Sequence, residues 1–205
     1  MREAAPLFCT MLRDLADSLF SYDKEKEKLH QEGTMMDLKQ YIRNIPDFPV
    51  PGIQFKDITT LLKDAGAYHE AIDQLAKSIE GLKPDAIVGP EARGFIVCAP
   101  LAYAARVGFI PARKPGKLPS AVCRYEYALE YGTDSLEIHK DAIKPGMRIV
   151  VADDLLATGG TAMAAVKLIE SMGGEVVGLR FLIELEELGG RQALAGYDVT
   201  SLIRY

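Results

Sequence analysis

Three short runs constrain this chain most: DAIVG at 85–89, GFIPA at 108–112 and RIVVA at 148–152. Each is apolar on both faces, and a strand of that kind must be covered on both sides. Segments with helical patterning lie between and around them. Residues 67–80 carry apolar side chains at helical period and end at Gly81 and Pro84; residues 94–106 read as a buried helix; residues 160–172 read as a helix stopped by Gly173 and Gly174. Residues 176–182 and 199–203 read as a fourth and a fifth strand. Near the start, residues 37–43 read as a short helix, and Pro46, Pro49, Pro51 and Gly52 force an ordered loop. The expected fold class is α/β, with a mostly parallel central sheet and helices on both faces. Ligands of such sheets sit at the carboxyl ends of the strands. The places to search are therefore just after Val88, Ile110 and Val151.

The chain divides in composition near Met36. Residues 36–205 read as one domain. Residues 1–35 read as an N-terminal extension, helical or poorly ordered, with Leu7, Phe8, Met11, Leu12, Leu15 and Leu19 at helical spacing and the charge run DKEKEK behind them. Three readings of the extension stay open: a peripheral amphipathic helix, a segment preceding a natural start at Met35 or Met36, or a contact with a partner or a membrane surface.

The net charge of −5 gives no general attraction for nucleic acid. The cysteines, Cys9, Cys98 and Cys123, form no CxxC pair, and His30, His69 and His139 form no HxH or HExxH spacing. A disulfide framework and a protein-built metal site are both unexpected. No apolar run approaches the roughly 20 residues of a membrane span. No secretory signal is evident at the N-terminus, so the cytoplasm is the expected location.

The segment VVADDLLATGGT, ending at Thr161, follows the third strand. Adjacent carboxylates Asp153 and Asp154 at a strand end can accept hydrogen bonds from a vicinal diol. In the loop Ala157, Thr158, Gly159, Gly160, Thr161, several backbone N–H groups can converge on one phosphate. The helix that follows brings its N-terminal dipole to the anion. The loop contains neither GxxxxGK[ST] nor GxGxxG, so it is not a nucleotide-triphosphate or dinucleotide fingerprint.

The same segment resembles the phosphoribosyl pyrophosphate (PRPP) motif of type I phosphoribosyltransferases. Four further segments resemble the adenine-specific branch of that family, in family order: PDFPVPGIQFKDI at 46–58, GPEARGF at 89–95, RKPGKLP at 113–119 and YALEYG at 127–132. The resemblance covers about residues 36–205 and implies the type I phosphoribosyltransferase fold, with a small N-terminal hood and a flexible loop. It implies transfer of the 5-phosphoribosyl group from PRPP to adenine N9, giving AMP and pyrophosphate, by a homodimer. Asp153 and Asp154 would face the ribose hydroxyls, and the five loop residues would hold the 5-phosphate. Arg93, with N–H groups near Ala92 turned by a strained, cis-type peptide, would bind pyrophosphate together with Arg113, Lys114 and Lys117. Arg113 would act either in its own subunit or across the dimer interface. Phe55 would stack on the purine, Leu155 would close its other face, and Gln54 and Lys56 would offer backbone groups to its edge. Glu130 would take part in proton transfer at N9, and Tyr131 would pack over the site as part of a lid. Ala157 stands where the 6-oxopurine branch has Asp, which favours adenine. Magnesium is expected to arrive with the pyrophosphate and to touch Asp153 and Asp154 only through water. A DNA-binding regulator of this fold would need a winged-helix domain, for which residues 1–35 are too few.

Overall fold

In the computed structural model of the chain, the described residues are 36–128 and 133–205. Residues Leu38–Tyr205 form one compact unit. Its centre is a five-stranded sheet in the order β4-β3-β7-β8-β9. The strands are β3 (Ala86–Pro90), β4 (Gly108–Ala112), β7 (Arg148–Leu156), β8 (Glu175–Glu184) and β9 (Val199–Arg204). Every neighbouring pair is parallel. The three founding runs are thus the edge strand β4 and the inner strands β3 and β7, and β3 is buried at every position.

Side chains alternate across the sheet, and this places the helices. Ala86, Val88, Ile149 and Val151 join the core that contains α4 (Gly160–Ser171). On the other face the Cys98 thiol of α3 (Gly94–Ala105) donates to the carbonyl of Ala152 at 2.9 Å. Helix α2 (Ala65–Ile79) packs with α3. It begins at Asp64, whose carboxylate accepts the Ala67 N–H at 2.9 Å as an N-cap. No helix among the described residues is long and apolar enough to cross a membrane.

Two antiparallel hairpins form small sheets of their own beside the main one. Strands β1 (Arg43–Pro46) and β2 (Gln54–Asp57) form the first, and β5 (Val122–Ala128) and β6 (Thr133–His139) form the second. The first corrects the expected helix at 37–43: only a 3-10 turn, Leu38–Tyr41, forms before the chain enters β1. Pairing with β2 claims the backbone of Arg43, and the Pro-rich loop becomes the hairpin's connection, with a cis Phe48–Pro49 bond. Asp57, at the end of β2, locks this hairpin to α1 (Thr59–Leu62). Its carboxylate accepts from Thr59 N–H and Thr59 Oγ1, each at 2.9 Å, and from Arg43. These bonds hold its pKa at about 2.

Strand β7 is longer than its apolar run. It continues through the acid pair to Leu156, because β8 runs alongside and pairs Asp153 with Phe181 and Leu156 with Glu184. The acid pair is therefore held by sheet hydrogen bonding rather than by a free loop.

Candidate active site

The carboxyl ends of β3, β4 and β7 lie side by side, and the segments that leave them build one site. After β7, a cleft of about 200 Å³ is lined, among the described residues, by Arg93, Asp153, Asp154, Leu155 and the loop from Ala157 to Thr161. Asp154 is almost buried, and its Oδ2 pairs with Arg93 Nε at 3.0 Å. Its backbone N–H donates to Asp153 Oδ1 at 2.8 Å. Burial, and then the charge of Asp154, push the Asp153 carboxyl well above its ordinary range. Burial raises Asp154 as well, and the Arg93 guanidinium opposes it. Two crowded carboxylates at a strand end are poised to accept hydroxyl donors, since each such bond favours the charged form.

The loop next to them turns at Gly159, whose φ of +84° lies in the left-handed region, and α4 starts at Gly160. A Cβ on Gly159 would lie 2.8 Å from the Gly190 carbonyl oxygen, and one on Gly190 would lie 2.3 Å from the Ala157 oxygen. The loop is thus packed backbone to backbone against the start of α5 (Gly190–Ala193). Behind that contact stands Glu184, buried at the end of β8. It accepts from Arg191 Nε at 2.9 Å and Arg191 Nη2 at 2.5 Å, and Arg191 holds its pKa below the ordinary value. Neither Gly190 nor Glu184 was identified as a site residue from sequence. Only the pair of glycines at 189–190 signals a close approach there.

The loop after β3 carries GPEARGF. Its Glu91–Ala92 peptide is cis, as the resemblance implies. Arg93 joins two parts of the site, because its Cζ also lies 5.7 Å from the centre of the Phe55 ring. Phe55 is half-buried and meets Phe48 edge-on at 5.1 Å. On either side of it, Gln54 accepts from Asn44 at 2.7 Å and Lys56 donates to Asn44 at 2.9 Å. Both side chains are thus tied to Asn44 across the hairpin, and Lys56 Nζ also lies over the Tyr205 ring.

The basic loop after β4 does not line the cleft. Arg113 and Lys117 pair with Glu91 at 2.9 and 3.1 Å, and Lys114 Nζ pairs with Asp134. Burial works against Lys114, but Asp134 and Tyr127 outweigh it and raise its pKa. Glu91 and Asp134 were likewise given no role from sequence. Glu91 was legible only as the acid inside GPEARGF. Glu130 and Tyr131 lie outside the described residues. No group of three or more His, Cys, Asp or Glu side chains that could hold a metal ion occurs among the described residues. The acid pair supplies hard carboxylate oxygens, which fit a magnesium ion carried in by a ligand and reached through water.

Comparison with known proteins places the chain in a family. The family model described as phosphoribosyl transferase domain matches residues 59–195. An adenine phosphoribosyltransferase of Thermoanaerobacter pseudethanolicus is 60% identical over 172 residues, which is 84% of this chain and 99% of the relative. The crystal structure of adenine phosphoribosyltransferase from the same organism superposes with a TM-score of 0.81, covering 84% of this chain and all 100% of the other. The Saccharomyces cerevisiae enzyme, solved with an imino-altritol bisphosphate and adenine, is 38% identical with a TM-score of 0.76, covering 81% of this chain and 96% of that one. The span that matches the family holds Arg93, the acid pair and the glycine loop, and the chain belongs to the phosphoribosyltransferase family, within its adenine phosphoribosyltransferase branch.

Proposed function

We propose that this protein transfers the 5-phosphoribosyl group of PRPP to N9 of adenine, releasing AMP and pyrophosphate in purine salvage. The observation that carries this reading is the junction at the end of β7, where a buried acid pair runs directly into a left-handed glycine and a helix N-terminus. That junction offers acceptors for a diol and donors for a phosphate a few residues apart. The identity of about 60% to an adenine phosphoribosyltransferase supports the choice of base.

In this reading Asp153 and Asp154 accept hydrogen bonds from the ribose 2- and 3-hydroxyls. Backbone N–H groups of Ala157, Thr158, Gly159, Gly160 and Thr161, with the two threonine hydroxyls, hold the 5-phosphate. Phe55 and Leu155 sandwich adenine, and the backbones of Gln54 and Lys56 read its edge. Arg93 and the Ala92 N–H bind the pyrophosphate and stabilise its charge as the C1–O bond breaks. Arg113, Lys114 and Lys117 add cations to that task, after a rearrangement from their present partners. Glu130 receives the N9 proton, and Tyr131 closes over the base to exclude water. Asp153 and Asp154 would hold, through water, the magnesium brought by the pyrophosphate, which would supply further charge neutralisation. Ala157 leaves no carboxylate near purine N7, which disfavours 6-oxopurines. A homodimeric, cytoplasmic enzyme with residues 36–205 as its catalytic domain completes the proposal.

The direct test is AMP formation from adenine, PRPP and magnesium, with Asp153→Asn and Asp154→Asn alongside. Production of AMP and equimolar pyrophosphate, with the joint variant at least about a hundredfold slower, is expected. No AMP, or a joint variant as fast as the parent, contradicts the proposal.

A further inference from the structure

Glu91 has no task in the mechanism above, yet it is nearly buried, with 5% of its side chain exposed. Its Oε2 accepts from Arg113 Nε at 3.0 Å and pairs with Arg113 Nη2 at 2.9 Å. Its Oε1 accepts the Lys114 N–H at 2.6 Å and pairs with Lys117 Nζ at 3.1 Å. Burial pushes Glu91 up, but these partners outweigh it and hold the carboxyl below its ordinary value. The remaining arm of the guanidinium, Arg113 Nη1, donates to the Lys117 carbonyl at 3.3 Å.

Backbone pairing explains why these groups meet. The Glu91 N–H donates to Ala112 O at 2.9 Å, which extends the β3–β4 ladder by one residue. Arg113 exchanges both backbone bonds with Glu137. The first residue beyond each of two adjacent parallel strands therefore faces the other. A single carboxylate thus receives two cations of the basic loop.

We infer that Glu91 is a positioning residue that acts through Arg113 and Lys117. Its carboxylate holds both cations as an internal counter-ion, pyrophosphate must take them from it, and Glu91 thereby weakens the hold on pyrophosphate and speeds its departure. The inference rests on the reading that Arg113 and Lys117 serve pyrophosphate. The exchange is physically reasonable: pyrophosphate carries several charges against one on Glu91, so it wins the cations, but by less than if they were free. Product release limits turnover in many enzymes, so a moderated grip favours turnover. A prop for the loop would behave oppositely, because its loss would misplace the cations and weaken binding.

The test is calorimetric titration of magnesium pyrophosphate into the full chain, comparing the parent, Glu91→Gln, Glu91→Asp, Arg113→Ala and Lys117→Ala. Glu91→Gln keeps the length and an acceptor for the Lys114 N–H while removing the charge. It is expected to bind pyrophosphate about five- to tenfold tighter at moderate salt, with kcat lowered and adenine affinity unchanged. Glu91→Asp is expected to return affinity toward the parent value. Equal or weaker binding in Glu91→Gln overturns the inference, as does Glu91→Asp binding as tightly as Glu91→Gln. If Glu91→Gln does not fold, the Arg113 Nε–H resonance of the parent protein decides: it should shift when pyrophosphate is added, and an unmoved resonance overturns the inference. The two cation variants separate the levels. Weaker binding in both upholds their pyrophosphate role and leaves only Glu91 at issue. Parent-like binding in both removes that role, and the inference with it.

Discussion

Replacing Gly190 by alanine should damage the phosphate loop while leaving the base site intact. The added Cβ would lie 2.3 Å from the Ala157 carbonyl oxygen and 2.8 Å from Leu156 Cδ1. Ordinary contact begins at 3.4 Å, so loop and α5 must separate by about 1 Å. The partner atom is backbone, and α5 is held by the Arg191–Glu184 pair, so neither side yields freely. Overpacking of this kind costs about 1–3 kcal/mol of stability. A displacement of about 1 Å in a positioning loop costs roughly a hundredfold in turnover. Calorimetry with AMP and with adenine reads the effect. AMP, which carries the 5-phosphate, should bind at least about tenfold more weakly, since about 1.4 kcal/mol of lost hydrogen bonding is a factor of ten. Adenine should bind as before. Gly81→Ala is the control, since nothing lies within 4 Å of its added Cβ. Unchanged AMP affinity in Gly190→Ala would refute the claim that loop and α5 are packed as a unit.

Three further perturbations follow from individual contacts. Glu130→Gln should lower kcat by roughly a hundredfold, the scale of lost general acid–base catalysis, with PRPP affinity nearly unchanged; steady-state kinetics with unaltered kcat would remove Glu130 from the proton transfer. Asp57 titrates at about 2 in the fold against an ordinary 3.8, so its stabilisation is complete above 3.8 and is lost as pH falls through about 2. Asp57→Asn should therefore be less stable at neutral pH and lose less between those two values; parallel acid-unfolding curves for the two proteins would contradict this. A chain beginning at Met36 should retain AMP synthesis at a rate within about threefold of the full chain, because every side chain assigned to the site lies within 36–205; an inactive but folded product would show that residues 1–35 contribute to the site.

The main sheet was readable because its inner strands β3 and β7 are buried on both faces, while the edge strand β4, only partly buried, is still apolar throughout. Such strands have little choice of environment, so DAIVG, GFIPA and RIVVA sufficed. The hairpins were not readable by the same route. In β5, Cys123, Tyr125 and Tyr127 pack on the core while Arg124 and Glu126 face outward, an alternation obscured by its mixed aromatic and polar character. In β1, one strand residue follows a 3-10 turn almost at once, and only its partner β2 decides the outcome. The acid pair and glycine loop were legible because their chemistry is local to one segment. Glu91 and Gly190 were not, because each matters only through a partner distant in sequence: Arg113 for one, Ala157 for the other. The basic loop shows the same limit. Its cations were visible, but their capture by Glu91 and Asp134 depends on the parallel pairing of β3 with β4 and on the approach of β6.

Transfer to adenine, hypoxanthine, guanine and xanthine, measured side by side with PRPP and magnesium, decides whether adenine is the acceptor. Adenine should be converted to AMP with a kcat/KM at least about a hundredfold above that of each 6-oxopurine, the discrimination that one mismatched buried polar contact can supply. Hypoxanthine or guanine preferred over adenine would contradict the account.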